Sequence, residues 1–170
     1  NFLCNGIIAP DRTPHPAMTE VKYAHQNVGF EAIDAAAGKF LVKNRFYFTN
    51  LKKYMISYTV KANGKTVKDG KVSLDIEPQG SKELNINVNG LKPKAGTEYF
   101  VDFVVTTTEP EPLIPAGFDI ASEQFRLPIE PLAVAEHKAG GKTNVSTDGD
   151  VVTVSSPRMQ FVFNKKEGLV

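Results

Sequence analysis

Carboxylates are the first residues in this chain that could do chemistry. Two carboxyl groups held about 5–5.5 Å apart across a glycosidic bond supply the nucleophile and the acid/base of a retaining hydrolysis. Glu109 and Glu111 are close in sequence, but they stand in the run Glu109-Pro110-Glu111-Pro112-Leu113-Ile114-Pro115. That run offers no aromatic floor for a sugar ring, Trp is absent from the whole chain, and charged side chains in such loops are ordinarily solvated. Asp11 and Glu20 are separated by a turn and most of a helix, and Asp11-Arg12 suits a local cap or pair at the start of that helix. The three histidines, His15, His25 and His137, share no ligand spacing with one another or with the lone cysteine, Cys4, which argues against a zinc-type cluster. No Gly-x-Ser-x-Gly elbow, phosphate-binding glycine loop or dinucleotide fingerprint occurs. Asn144-Val145-Ser146 meets the glycosylation sequon, but that triplet is common by chance and matters only on a eukaryotic secretory route. From residue types and spacing alone, no catalytic or metal site emerges.

The elements that would have to position any site are mostly strands. Pro14 and Pro16 suit a helix start, and Ala17, Val21, Ala24 and Val28 recur at helical spacing, which predicts an amphipathic helix over Thr13 to Val28. After Gly29 the period becomes two. Phe30, Ala32 and Lys39-Phe40-Leu41-Val42-Lys43 predict short strands, and Tyr54, Ile56, Tyr58 and Val60 predict a half-buried antiparallel one. Asn63-Gly64 accepts the positive φ angles of a type I′ turn, so a hairpin is expected there. Leu84, Ile86 and Val88, and then Tyr99, Val101, Phe103 and Val105, read as sandwich strands with one wet face. The prolines of 109–115 predict a stiff extended loop before a last strand near Ser122 to Leu127. About seven strands in roughly a hundred residues indicate an immunoglobulin-like β-sandwich. Beyond Leu127, Pro128, Pro131 and Ala139-Gly140-Gly141-Lys142 mark a boundary. Val151-Val152-Thr153-Val154 and Met159-Gln160-Phe161-Val162-Phe163 then predict two more strands, with a third expected to begin at Leu169-Val170.

At 170 residues the chain holds one good core and part of a second unit. Its formal net charge is +1 and its charged residues, 23% of the total, are interspersed. No electrostatic footprint for nucleic acid or an anionic membrane follows. No apolar run approaches the about 20 residues of a spanning helix. One cysteine allows no internal disulfide, so core burial must hold the fold.

Four stretches carry a family resemblance. They are Asn5 to Lys22, above all Asp11-Arg12-Thr13-Pro14-His15-Pro16; Leu74-Asp75-Ile76-Glu77-Pro78-Gln79-Gly80; Phe125-Arg126-Leu127; and Arg158-Met159-Gln160-Phe161-Val162-Phe163-Asn164 to Gly168. Over nearly its full length the chain resembles the large bacterial β-galactosidases of glycoside hydrolase family 2. The resemblance implies an all-β piece of such an enzyme: the C-terminal end of the (β/α)8 barrel at 1–28, an immunoglobulin-like sandwich at 29–128, and a linker with the opening strands of the C-terminal β-domain at 129–170. The chain is thereby expected to start inside one unit and finish inside another.

The same resemblance sets the functional expectations. The family's retaining carboxylates and magnesium ligands lie on barrel strands upstream of Asn1, so none maps here. The parent is expected to be a hydrolase that removes terminal non-reducing β-D-galactose, and this piece a non-catalytic link within it. Sodium and magnesium are expected in the parent, and no cofactor in the piece itself. One feature carries over: in the family's F-x-x-N-G, a sodium ion beside the galactose takes the Phe main-chain carbonyl and the Asn side-chain oxygen. Here these are Phe2 and Asn5, with the Phe2 ring lining the substrate pocket. Hard cations favour such oxygens, and these two are only part of a shell. Read without the family, Phe2 and Asn5 are a buried aromatic and a turn residue ending a strand. The expected partners are the remaining domains of the parent and, through them, a galactoside, with an oligomer compatible and no nucleic acid or membrane. Cytoplasm and periplasm of a bacterium both stay open. Two other readings stand beside this one: a carbohydrate-binding or adhesive sandwich module, and the same piece of a related family 2 glycosidase acting on another sugar.

Overall fold

Seven period-two segments between Val28 and Leu127 pair into two antiparallel sheets that bury their alternate residues against each other. In the computed structural model residues 6–129 and 142–168 are described. The chain divides into two compact units, Asn1–Ala133 and Val134–Val170.

The first unit opens with helix α1 (Ala17–Ala24) and continues through β1 (Val28–Asp34), β2 (Lys39–Asn44), a 3-10 turn at Leu51–Lys53, β3 (Tyr54–Ala62), β4 (Lys65–Val72), β5 (Ser81–Asn85), β6 (Tyr99–Thr107) and β7 (Asp119–Leu127). One sheet has the order β1-β2-β5 and the other β4-β3-β6-β7. This is the all-β sandwich that the sequence predicts. Strand β6 is the clearest case, since its residues alternate between buried and half-buried along the whole element. Its inward residues Val101, Phe103 and Val105 are fully enclosed. At the Asn63-Gly64 turn both residues have positive φ, 45° and 80°, as a type I′ hairpin between β3 and β4 requires.

The core is built around four phenylalanines. Phe30 of β1 stacks on Phe103 of β6 at 4.7 Å, and Phe40 of β2 meets the same ring edge-on at 5.0 Å. Phe125 of β7 closes the group, 5.2 Å from Phe40 and 6.2 Å from Phe103. Offset and edge-to-face pairs at such distances add to the area that they bury. Around them lie Val28, Val42, Leu51, Ile56, Val60 and Leu127, all almost wholly buried.

Three local expectations are corrected. Helix α1 is shorter than Thr13 to Val28, because residues 9–14 turn back on themselves before Pro16 and Val28 is taken into β1. The Pro-rich run is not extended throughout: Glu111 and Ile114 exchange backbone hydrogen bonds of 2.8 and 3.0 Å, with Leu113 at φ 67°. Strand β7 begins at Asp119, three residues before Ser122, because the N–H of Thr107 continues the pairing onto Phe118.

The second unit is a meander in the order β10-β9-β8, from β8 (Asn144–Asp148), β9 (Val151–Ser156) and β10 (Met159–Asn164). Strand β8 is additional to the two that the sequence reading finds; its one large apolar residue, Val145, gives too little alternation to betray it. The register sets Val145 beside Val154, Val154 beside Phe161, and Val152 beside Phe163, all on one face. Leu169 and Val170, where a further strand is expected, lie outside the described residues.

Replacing Phe103 by Ala should lower the unfolding free energy of the chain by about 3–5 kcal/mol, measured by urea denaturation. A loss below about 1 kcal/mol, the ordinary cost of a point change, would show that the sheets are held together elsewhere.

Candidate functional site

The residues singled out in the sequence do not converge. Phe2, Asn5, Cys4 and His137 lie outside the described residues. Asp11 accepts a hydrogen bond from the N–H of Thr13 at 3.0 Å, which, with the Thr13 hydroxyl, holds its carboxyl below the usual carboxylate range. It therefore shapes a turn and does not cap α1, whose first turn has no side-chain cap. That turn is closed by Ala9 N–H to Thr13 O and Arg12 N–H to Ala9 O, both 2.9 Å, with Arg12 at φ 70°. His15 Nδ1 sits 2.6 Å from Gly6 O. Glu111 pairs with Lys53 at 2.9 Å, whose ammonium it holds up, while Glu109 and Glu20 face solvent. Among the described residues no group of three or more His, Cys, Asp or Glu is placed to hold a metal ion.

The most organised polar feature was not anticipated. Asn44, at the end of β2, is 2% exposed and its amide nitrogen donates to the carbonyls of Thr49, Ile76 and Glu77 at 2.8, 3.0 and 3.1 Å. Its side-chain oxygen accepts from the N–H of Phe46 at 3.0 Å. Asn50 accepts from Lys52 N–H at 2.8 Å and donates to Asp75 and Glu77 at 2.7 and 3.0 Å. Gln79, at φ 62°, donates to the carbonyls of Arg45 and Phe46 at 2.8 and 3.0 Å. The Leu74–Gly80 turn and the loop Asn44-Arg45-Phe46-Tyr47-Phe48-Thr49-Asn50 are thus laced together. Buried amides are tolerated only when fully bonded, and this one is.

Beside this lattice, α1 lies along β7 and leaves a cleft of about 770 Å³ lined by Met18, Val21, Phe46, Tyr54, Ile114 and Phe118. The helix is fastened by three contacts. The Tyr23 hydroxyl donates to Glu123 at 2.9 Å, and that carboxylate holds the phenol above its ordinary range. Gln26 Oε1 accepts from Ser122 N–H at 3.0 Å. Lys22 Nζ lies 4.6 Å above the Phe118 ring. On the floor, burial first and the nearby Glu111 charge second push the Tyr54 phenol up, and its ring stacks on Phe46 at 5.7 Å. The cleft is apolar with a few polar groups at its rim, the character of a binding surface. Nothing in it pairs a nucleophile with a base.

A family model described as "Beta-galactosidase, domain 4" matches residues 40–128. Full-length similarity is found to "Beta-galactosidase" of Priestia megaterium, 32% identical over 169 residues, which are 99% of this chain and 16% of that protein. "Beta-galactosidase 2" of Enterobacter cloacae is 32% identical over 168 residues, 98% of this chain and 16% of its own length. "Beta-galactosidase" of Vibrio cholerae is 31% identical over 169 residues, again 99% and 16%. The chain thus spans 16% of the length of these curated relatives.

Asn44→Ala should lower stability by about 1–3 kcal/mol, the cost of leaving buried carbonyls without a donor. Asn44→Asp should do at least as much harm, because its carboxylate would face those carbonyls. Urea midpoints of the two variants check both, and unchanged midpoints would mean that the lattice does not stabilise the sandwich.

Proposed function

Because the chain belongs to the family of β-galactosidase domain 4, we propose that it is a non-catalytic linking segment of a longer β-galactosidase that removes terminal β-D-galactose from β-galactosides. The observation that carries this reading is the alignment of the relatives over 98–99% of the chain, with the domain 4 match spanning the sandwich from β2 to the end of β7. The described carboxylates support the non-catalytic part of it. Glu111 is engaged by Lys53 and Asp11 by its own turn.

In this reading residues 1–28 close the barrel, 29–128 form the sandwich, and 129–170 open the C-terminal β-domain. The apolar face of the β8–β10 meander supports the last assignment. A sheet's apolar face is ordinarily buried against another layer, and Val145, Met159, Phe161 and Phe163 on this one are exposed. Phe2 and Asn5 are proposed, on sequence alone, to give a main-chain carbonyl and an amide oxygen to a sodium ion beside the galactose, with magnesium held elsewhere in the parent.

Two experiments test the proposal. The full-length product of the parent gene should hydrolyse nitrophenyl β-galactoside while this 170-residue chain, at equal concentration, does not. Silence in both would favour another sugar specificity or a binding module. In the complete enzyme Asn5→Ala should raise KM or weaken activation by sodium; kinetics unchanged at every sodium concentration would remove Asn5 from the ion.

A further inference from the structure

In the first unit the three most exposed large apolar side chains among the described residues are Leu113, Phe48 and Tyr47, at 104%, 97% and 75% exposure. A solitary exposed leucine needs no explanation, but the most exposed apolar groups of a domain gathered at one place do. The topology puts their loops at one end of the sandwich. Asn44 lies opposite Val28 in one sheet and Tyr54 opposite Thr107 in the other, and Phe46, two residues after Asn44, stacks on Tyr54, so the end of β2 and the starts of β1 and β3 lie at the same pole as the end of β6. Tyr47 and Phe48 occupy the β2–β3 loop, and Leu113 the β6–β7 loop.

The backbone that carries these side chains is also held. Asn44 and Gln79 fix the backbone on either side of Tyr47 and Phe48, whose rings are 6.3 Å apart. Leu113 stands at the tip of the Glu111–Ile114 turn, which Lys53 anchors through Glu111. Loops whose backbone is fixed before contact lose less conformational entropy on docking than mobile ones.

We infer that this pole is the docking face for the portion of the polypeptide that precedes residue 6 in a longer β-galactosidase. The inference rests on the linking role proposed above and names its surface. The occupant follows from connectivity: α1 and the segment before it join the sandwich at the start of β1, at this same pole. A preceding domain tethered there is present at the effective concentration of a short linker, in the millimolar range, which a free second copy does not match. The relatives leave ample chain for such a domain, since this segment is 16% of their length.

The test compares alkylation of Phe48→Cys and Leu113→Cys, resolved by peptide mass spectrometry, in the complete polypeptide and in the 170-residue chain. Both sites should react about tenfold or more slowly in the complete polypeptide, the ratio for docking stable by about 1.4 kcal/mol. Val67→Cys on the β4 edge should react alike in the two. Hydrogen exchange at Tyr47 and Phe48 in the unsubstituted proteins should agree. Equal rates in both forms overturn the inference. Protection that appears in the isolated chain with rising concentration overturns it in favour of a second copy, and protection only on adding a galactoside overturns it in favour of a sugar. Nitrophenyl β-galactoside hydrolysis by the same samples separates the two proposals. Activity with an unprotected pole discards the docking face and keeps the β-galactosidase reading, whereas protection without activity does the reverse.

Discussion

Everything in the first unit depends on one ring, Phe103, because it is where the two sheets are joined. The sequence has a single cysteine, so no disulfide crosses the sandwich and the sheets are held by packing. Phe103 receives Phe30 on its face and Phe40 on its edge, both from the opposite sheet, while Phe125 from the neighbouring strand fills the remaining side. The strand order follows from that placement. Strand β6 must be central to present Phe103 mid-core, and it is, with β3 and β7 on its two sides. The alternation of β6 serves both roles at once, since each inward residue fills the core and each outward one remains half exposed.

Where the core ends, packing gives way to hydrogen bonding, and Asn44 marks the change. It terminates β2 and is as buried as the core residues around it, yet all its capacity goes to the backbone. A hydrophobic residue of that size could fill the space but could not hold the Ile76 and Glu77 carbonyls in place. The Asn44 and Gln79 bonds therefore convert two loops without regular pairing into a fixed surface. The unusual backbone of Gln79 is paid back by the two carbonyls that its amide reaches.

The parts of this structure that were legible in the sequence are those whose signal is local. The alternation of Tyr99 to Val105 fixes β6, and Asn63-Gly64 fixes a hairpin whose Asn also grips the 96–98 loop through Gly96 O and Glu98 N. The Asn44 lattice was invisible for the opposite reason: its acceptors lie up to 33 positions away, and an Asn before an Arg carries no sign of burial. Phe46, Tyr47 and Phe48 were equally opaque. A run of three aromatics has no period, so nothing local says that Phe46 packs on Tyr54 while the next two rings face out. The helix boundary failed because Val28 fits both a helical stripe and a strand start, and the sheet claims it. The proposed sodium residues rest on the family's motif alone, since Phe2 and Asn5 fall outside the described residues.

The sheet edges indicate which surfaces remain for contact. The outer strand β7 of the four-stranded sheet would present unpaired N–H groups, but Gln26 accepts from Ser122 and α1 lies along it. The opposite edge, β4, carries Lys65, Lys68, Asp69 and Lys71, and a row of charges opposes the addition of another strand. On the second sheet, β5 displays Lys82 and Glu83, which act in the same way. These edges are thus guarded against strand pairing, which is how a sandwich usually acquires unwanted neighbours. Among the described residues of the first unit the most exposed large apolar side chains, Leu113, Phe48 and Tyr47, lie instead on loops. The most exposed apolar surface in the first unit thus sits on loops and not along these charged strands, where it would invite an added strand.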